Sequence, residues 1–212
     1  MRVRTAVAAD VRPLRPVALL VVALVLVGCQ SVPKSIAPAV ALEPGAWPAR
    51  RAQLQARSQF TAQGRIGVVA GSDGFNGRLR WMQEGTRSTV NLDGPLGVGG
   101  VRVVDDAGAL TLTNPAGQAL DSQAAHDELV RRMGFEPPLE SLRYWIQGVP
   151  DPSSPSTEMP GAQGYLDSLA QSDWMVTFSL YAQTPDGALP RRLTVERGNV
   201  RVRLIIDSWH SP

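Results

Sequence analysis

Few side chains in this sequence are equipped for covalent or acid–base chemistry. Its 212 residues include two histidines, His126 and His210, and one cysteine, Cys29. His126 falls in a polar helical stretch and His210 lies two residues from the C-terminus, so both read as solvated surface. No group of His, Cys, Asp and Glu has the spacing of a metal site. Asp105 and Asp106 are adjacent carboxylates, but neighbouring strand residues point to opposite faces. The Ala-Gly that follows makes the pair the start of a hairpin turn. The run GVGGVR lacks the spacing and helix context of a dinucleotide loop, and there is neither a phosphate loop nor a GxSxG elbow. The expectation is a protein that is not an enzyme and needs no cofactor or metal.

Cys29 requires another explanation. A lone cysteine in an exported chain has no internal disulfide partner, and the residues before it are those of an export signal. Arg2, Arg4, Arg12 and Arg15 precede eleven unbroken apolar residues, Val17 to Val27, and then Gly28. Eleven residues fall well short of the roughly 20 that span a bilayer, and Pro13 and Pro16 block helical extension backwards. A basic region, a short apolar core and a small-residue boundary make residues 1–28 a signal peptide. Leu26-Val27-Gly28-Cys29 resembles the bacterial lipobox, which implies that Cys29 becomes the first mature residue and carries diacylglycerol and a third acyl chain. Two or more chains anchor a protein stably, where one gives only marginal binding. Gln30 in place of aspartate implies sorting to the outer membrane.

The signal peptide also accounts for the net positive charge. The whole chain has 21 basic and 19 acidic residues; losing four arginines and Asp10 leaves 17 and 18, a net charge of −1. The sequence pI of about 9.1 is therefore no argument for nucleic acid. Residues 29–45 are small and proline-punctuated, the composition of a lipidated tether. Residues 46–212 have the length of one domain, and the Pro- and Ser-rich stretch 150–164 reads as a long loop within it.

The elements of that domain follow from period-two alternation. Phe60, Ala62, Gly64, Ile66 and Val68 share a face, as do Phe75, Gly77, Leu79 and Trp81. The pattern returns at Val101–Val103, Leu110–Leu112, Trp174–Leu180, Leu193–Val195 and Val200–Ile206, with arginines and threonine on the opposite faces. Alternation broken by Gly, Asn and Asp predicts antiparallel strands joined by hairpins. Helical spacing predicts helices over 47–59, over 121–133 with Gly134 as C-cap, and over 139–147 ending at Gly148. The fold class is mainly β (α+β): one strongly curved antiparallel sheet with about three helices covering part of it. Whether its interior holds side chains or a ligand cavity is left open by alternation.

GRIGV, LRWMQEG, NLDGPLG, LESLRYWIQGVPDP, LAQSDWMVTF, LPRRLTV and IIDSW occur in this order between residues 64 and 209, with tryptophans at 47, 81, 145, 174 and 209. Together these resemble the LolB family of outer-membrane lipoproteins. The resemblance implies an incomplete β-barrel whose helices lid a hydrophobic cavity for acyl chains. It also implies a periplasmic LolA-like carrier as donor, triacylated lipoproteins as cargo, and a monomer anchored through Cys29 on the periplasmic face of the outer membrane. Three acyl chains carry about 45 methylenes, and exposing them to water costs on the order of 35 kcal/mol. Cargo must therefore pass from one greasy pocket to another. The expected cavity lining is Ile66, Val68, Leu79, Trp81, Val176, Phe178, Leu204 and Ile206 from the strands, with Leu142 and Trp145 from the lid.

The stretch DGPLGVGG (residues 93–100) sets one leucine, Leu96, among glycines and a proline. Such a loop is surface-exposed and offers a leucine no neighbouring cover. The resemblance implies that Leu96 touches the outer membrane during insertion; the alternative is a tip leucine folded back onto the sheet. Two other functions fit the same elements: an anchored lipid or glycolipid binder with no protein donor, and an envelope scaffold whose barrel is filled by its own side chains.

Overall fold

Alternation along the chain resolves into strands that each pair with the next. The computed structural model describes residues 37–94 and 100–211. The elements are α1 (Trp47–Gln55), β1 (Gln59–Ala70), β2 (Asp73–Glu84), β3 (Arg87–Asp93), β4 (Val101–Asp106), β5 (Ala109–Thr113), β6 (Ala119–Asp121), α2 (Ser122–Met133), α3 (Leu139–Trp145), β7 (Ser156–Pro160), β8 (Leu166–Gln171), β9 (Trp174–Thr184), β10 (Gly187–Arg197) and β11 (Val200–His210). All pairings are antiparallel, and the order is β6-β5-β4-β3-β2-β1-β11-β10-β9-β8-β7. The one non-sequential neighbour pair, β1 with β11, joins an N-terminal meander to a C-terminal one.

Eleven strands would span about 48 Å if laid flat, yet Leu112 of β5 and Leu169 of β8 belong to one buried cluster. The sheet is therefore curved, and it stays open because its edges, β6 and β7, do not pair. The chain leaves edge β6, passes through α2 and α3, and returns as edge β7. This connection packs Ala125, Leu129, Met133, Leu142 and Trp145 onto the inner face. The mainly antiparallel, partly lidded sheet expected from the sequence is the one observed.

Two glycines are required by geometry. Gly64 sits at a register shift between β1 and β11, where a Cβ would lie 2.0 Å from the Ile205 carbonyl oxygen. Gly134 adopts φ +77° after α2, and its N–H donates to Val130 O at 2.8 Å. Residues favouring left-handed backbone close α2 as expected.

Three expectations change. The first helix ends at Gln55, because Gln59 already pairs with Glu84 in the sheet. The stretch 150–164 is not simply a loop: Ser156–Pro160 pairs with β8 as an edge strand, the position in which a sheet tolerates Pro160. The expected tether does not run free up to residue 45. Ala39 is buried beside Tyr165 and Ala188, Pro38 bridges to Ala182, and Leu42 N–H donates to Gln163 O at 2.8 Å. Alternation alone also left β3, β6, β7 and β8 unmarked, since these strands are short or carry polar residues inward.

Residues 36–212 form one compact unit with a hydrophobic core of its own, as an independently folding domain requires.

Candidate functional site

Between the inner face of the sheet and the two helices lies a narrow cleft of about 40 Å³. Ile66, Leu79, Trp81, Val90, Val103 and Leu204 are among the sheet side chains that form it. Leu129, Met133, Phe135, Pro137, Pro138, Leu139 and Leu142 close it from above. Every lining side chain is apolar, so a water inside would find no partner. A larger depression of about 360 Å³ lies beside it, but Asp105, His126, Glu136, Glu140 and Arg197 line that one. Charged walls suit acyl chains badly, and the apolar cleft is the candidate site.

The ten side chains expected to line a cavity divide evenly. Ile66, Leu79, Trp81, Leu142 and Leu204 face the cleft. Val68, Trp145, Val176, Phe178 and Ile206 are packed in solid core instead, with Trp145 and Val176 wholly buried. Both sets point inward. Curvature and the position of the helices decide which of them meet open space. The lid residues Leu129, Met133 and Phe135 and the Pro137-Pro138 pair were missed as lining, although Leu129 and Met133 stand at helical spacing on the buried face of α2.

The two helices are held differently. Gln171 of β8 is buried and its side-chain amide is fully used. Its Oε1 accepts from Trp145 Nε1 at 2.8 Å and from Asp151 N–H at 3.0 Å, and its Nε2 donates to Asp151 O and Ser154 O, both at 2.8 Å. Asp151 in turn accepts from Ser141 Oγ at 2.8 Å and from Ser153 N–H at 2.8 Å. This network locks α3 and the segment after it onto β8. It accounts for the serine, tryptophan and aspartate of LESLRYWIQGVPDP. On α2, by contrast, Gln123 bonds to Asp127, and Glu128 to Arg131 and Arg132, all within the helix. Its hold on the sheet comes chiefly from Ala125, Leu129 and Met133.

Other tryptophans are tied by their indole N–H: Trp81 to Gln83 Oε1, Trp47 to Glu158 Oε2, and Trp209 to Pro190 O. The Arg197 guanidinium lies 4.3 Å from the Trp174 ring centre. The Asp105–Asp106 turn forms as expected, with Ala107 and Gly108 at positive φ. Asp105 is buried, and its carboxyl is held above the usual aspartate range, mainly by burial. His126 corrects the expectation of a solvated side chain, being half-buried and 3.4 Å from Glu136. His210 is exposed. Among the described residues no cluster of His, Cys, Asp and Glu is placed to hold a metal ion, and no helix is long and apolar enough to cross a membrane.

Cys29 and Leu96 lie outside the described residues. The strands flanking Leu96 are placed: Leu92 and Val101 form the last β3–β4 pair before the connection.

Residues 58–209 match the family model described as outer membrane lipoprotein LolB. The chain belongs to the LolB family. Outer-membrane lipoprotein LolB of Thiobacillus denitrificans is 35% identical over 153 residues, covering 72% of this chain and 80% of that protein. Its counterpart in Nitrosococcus oceani is 29% identical over 188 residues, covering 88% and 92%. Among solved structures, a LolA superfamily protein from Nitrosomonas europaea aligns with a TM-score of 0.51 at 9% identity, over 81% of this chain and 94% of that one. A DUF1329 family protein from Desulfovibrio piger has the same TM-score at 10% identity, over 78% and 90%. At such identities the likeness is one of fold. Membership of the LolB family makes this chain an outer-membrane lipoprotein.

Proposed function

We propose that this LolB-family protein receives lipoproteins from a LolA-like periplasmic carrier, holds their acyl chains beneath its helices, and releases them into the outer membrane. The supporting observation is the wholly apolar cleft between sheet and lid. At about 40 Å³ it is the closed state, since ligand pockets run to about 300–1,000 Å³. Loading must open it. With α3 locked through Gln171, the part free to lift is α2 together with residues 134–138.

The sequence carries no nucleotide-binding motif, and in this proposal transfer runs downhill: the cleft binds acyl chains better than the carrier does, and the membrane better still. Cys29, lipidated, holds the domain at the periplasmic face and raises its local concentration there. Leu96, on the β3–β4 connection, enters the leaflet while cargo leaves.

Transfer of a radiolabelled lipoprotein from purified carrier to the protein tests this. Stoichiometric uptake, followed by release to vesicles, is expected. A folded protein that takes up free diacylglycerol but draws nothing from the carrier would be a lipid binder, and the receptor assignment would fall.

A further inference from the structure

The outward face of the sheet carries a feature that acyl binding does not use. Arg65 and Arg78 stand directly opposite each other on β1 and β2, and both are exposed. Register continues the row sideways: Arg80 is paired through Asn91 to Arg102 across β2–β3–β4, and Ile205 links Arg65 to Arg192 across β1–β11–β10. Arg203 lies on the same face. Like charges directly opposite in a sheet are destabilising, so the fold retains a repulsion here that its core does not need.

Counter-charge on this face is partial: Asp93 of β3 stands opposite Arg78 in the register. Arg65 pairs with Asp207 at 3.3 Å, and Arg201 pairs with Glu196. Among the described residues, no ion pair reaches Arg78, Arg80, Arg102, Arg192 or Arg203. Between the arginines stand Val69, Asn76 and Ile205. Gly67, Gly74 and Gly77 floor an open groove of about 740 Å³, with Arg65, Arg201 and Arg203 at its rim. All basic residues of residues 37–211 are arginine; the single lysine is Lys34. Arginine's planar fork matches the two oxygens of a phosphate.

We infer that this arginine face docks on the phosphate groups of an anionic lipid surface. The row crosses six adjacent strands, about 24 Å, the dimension of a plane rather than of a pocket. A protein partner would require a cluster of apolar or aromatic anchors; Val69 is the one large exposed apolar side chain on these six strands, with Leu180 and Met175 on the adjoining β9. Family membership places the molecule beside such a surface. The inference rests on the membrane-delivery function above but not on acyl binding, and the two fail separately.

The test uses residues 30–212, without signal peptide or lipid, sedimented with vesicles of phosphatidylcholine alone or with one-third phosphatidylglycerol. Partition to the anionic vesicles only is expected, lost at 1 M salt, where the screening length falls to about 3 Å. Arg78→Gln/Arg80→Gln/Arg203→Gln should weaken it on the order of 100-fold, at about fivefold per arginine, with thermal stability unchanged or raised as repulsion is relieved. Arg131→Gln/Arg132→Gln, on α2, should leave it unchanged. Equal partition to both vesicle types, or no effect of the triple substitution, overturns the inference. So does inhibition by millimolar inorganic phosphate at constant ionic strength, which would indicate a site for a free anion. Retained partition with impaired receipt from the carrier would assign the arginines to a protein partner and equally overturn it.

Discussion

Replacing Gln171 with leucine would strand four polar groups: the Trp145 indole N–H, the Asp151 N–H and the carbonyls of Asp151 and Ser154. A buried group left without its partner costs about 1–3 kcal/mol, so Gln171→Leu should lose roughly 3–5 kcal/mol in urea denaturation. A loss under 1 kcal/mol would mean that the network does not hold α3. Asp105 predicts the opposite sign. Its folded carboxyl titrates above the ordinary aspartate value, chiefly through burial. The folded state therefore binds the extra proton, and stability falls as pH rises from the unfolded value through the folded one. Asp105→Asn removes that slope while keeping an acceptor for the Gly108 N–H, now 3.0 Å from the carboxylate. The variant should melt higher than the parent at pH 7, with the gap closing on acidification below the ordinary aspartate range. A variant less stable at pH 7 would show that the charge is compensated.

Among the elements, the contrast between α2 and α3 is the testable one. The pairs of Glu128 with Arg131 and Arg132 lie within the helix and do not tie α2 to the sheet, and the helix ends at Gly134 in a left-handed turn. Native-state hydrogen exchange should therefore find α2 amides opening before those of α3 and β8, in a sub-global unit separate from the sheet. Carrier-delivered cargo should change α2 protection most. Simultaneous opening of both helices would remove α2 as the moving part of the lid.

On the scale of the whole molecule, anchoring, receipt and delivery are separable. Cys29→Ala, in a chain lacking residues 1–28, should be soluble and accept cargo from the carrier, because the tether adds proximity and not binding surface. Leu96→Glu should fold and accept cargo normally but fail at delivery to vesicles. Burying one leucine in lipid is worth about 1.5–3 kcal/mol, too little to anchor the protein but enough to bias a local opening of the leaflet. A Leu96→Glu protein that delivers as well as its parent, or unfolds, would return Leu96 to the alternative of a tip folded onto the sheet.

Strands β1, β2, β4, β5, β9, β10 and β11, their inward faces and the Gly134 stop were legible in the sequence, because each depends on residues a few positions apart; family membership was legible from short fragments in a fixed order. Alternation declares Ile66 and Val68 alike as inward. Only the curved sheet, with α2 and α3 laid across part of it, decides that Ile66 meets the cleft and Val68 meets core. The stretch 150–164 looked like a loop because composition does not disclose an edge strand whose partner begins at Leu166. Gln171 likewise has no local signature, its partners lying 17 to 26 residues away. The arginines were visible as an outward set, but their direct opposition is a matter of register between strands. Spacing along a chain encodes direction, whereas contact requires a second segment, and that segment is brought up by tertiary packing.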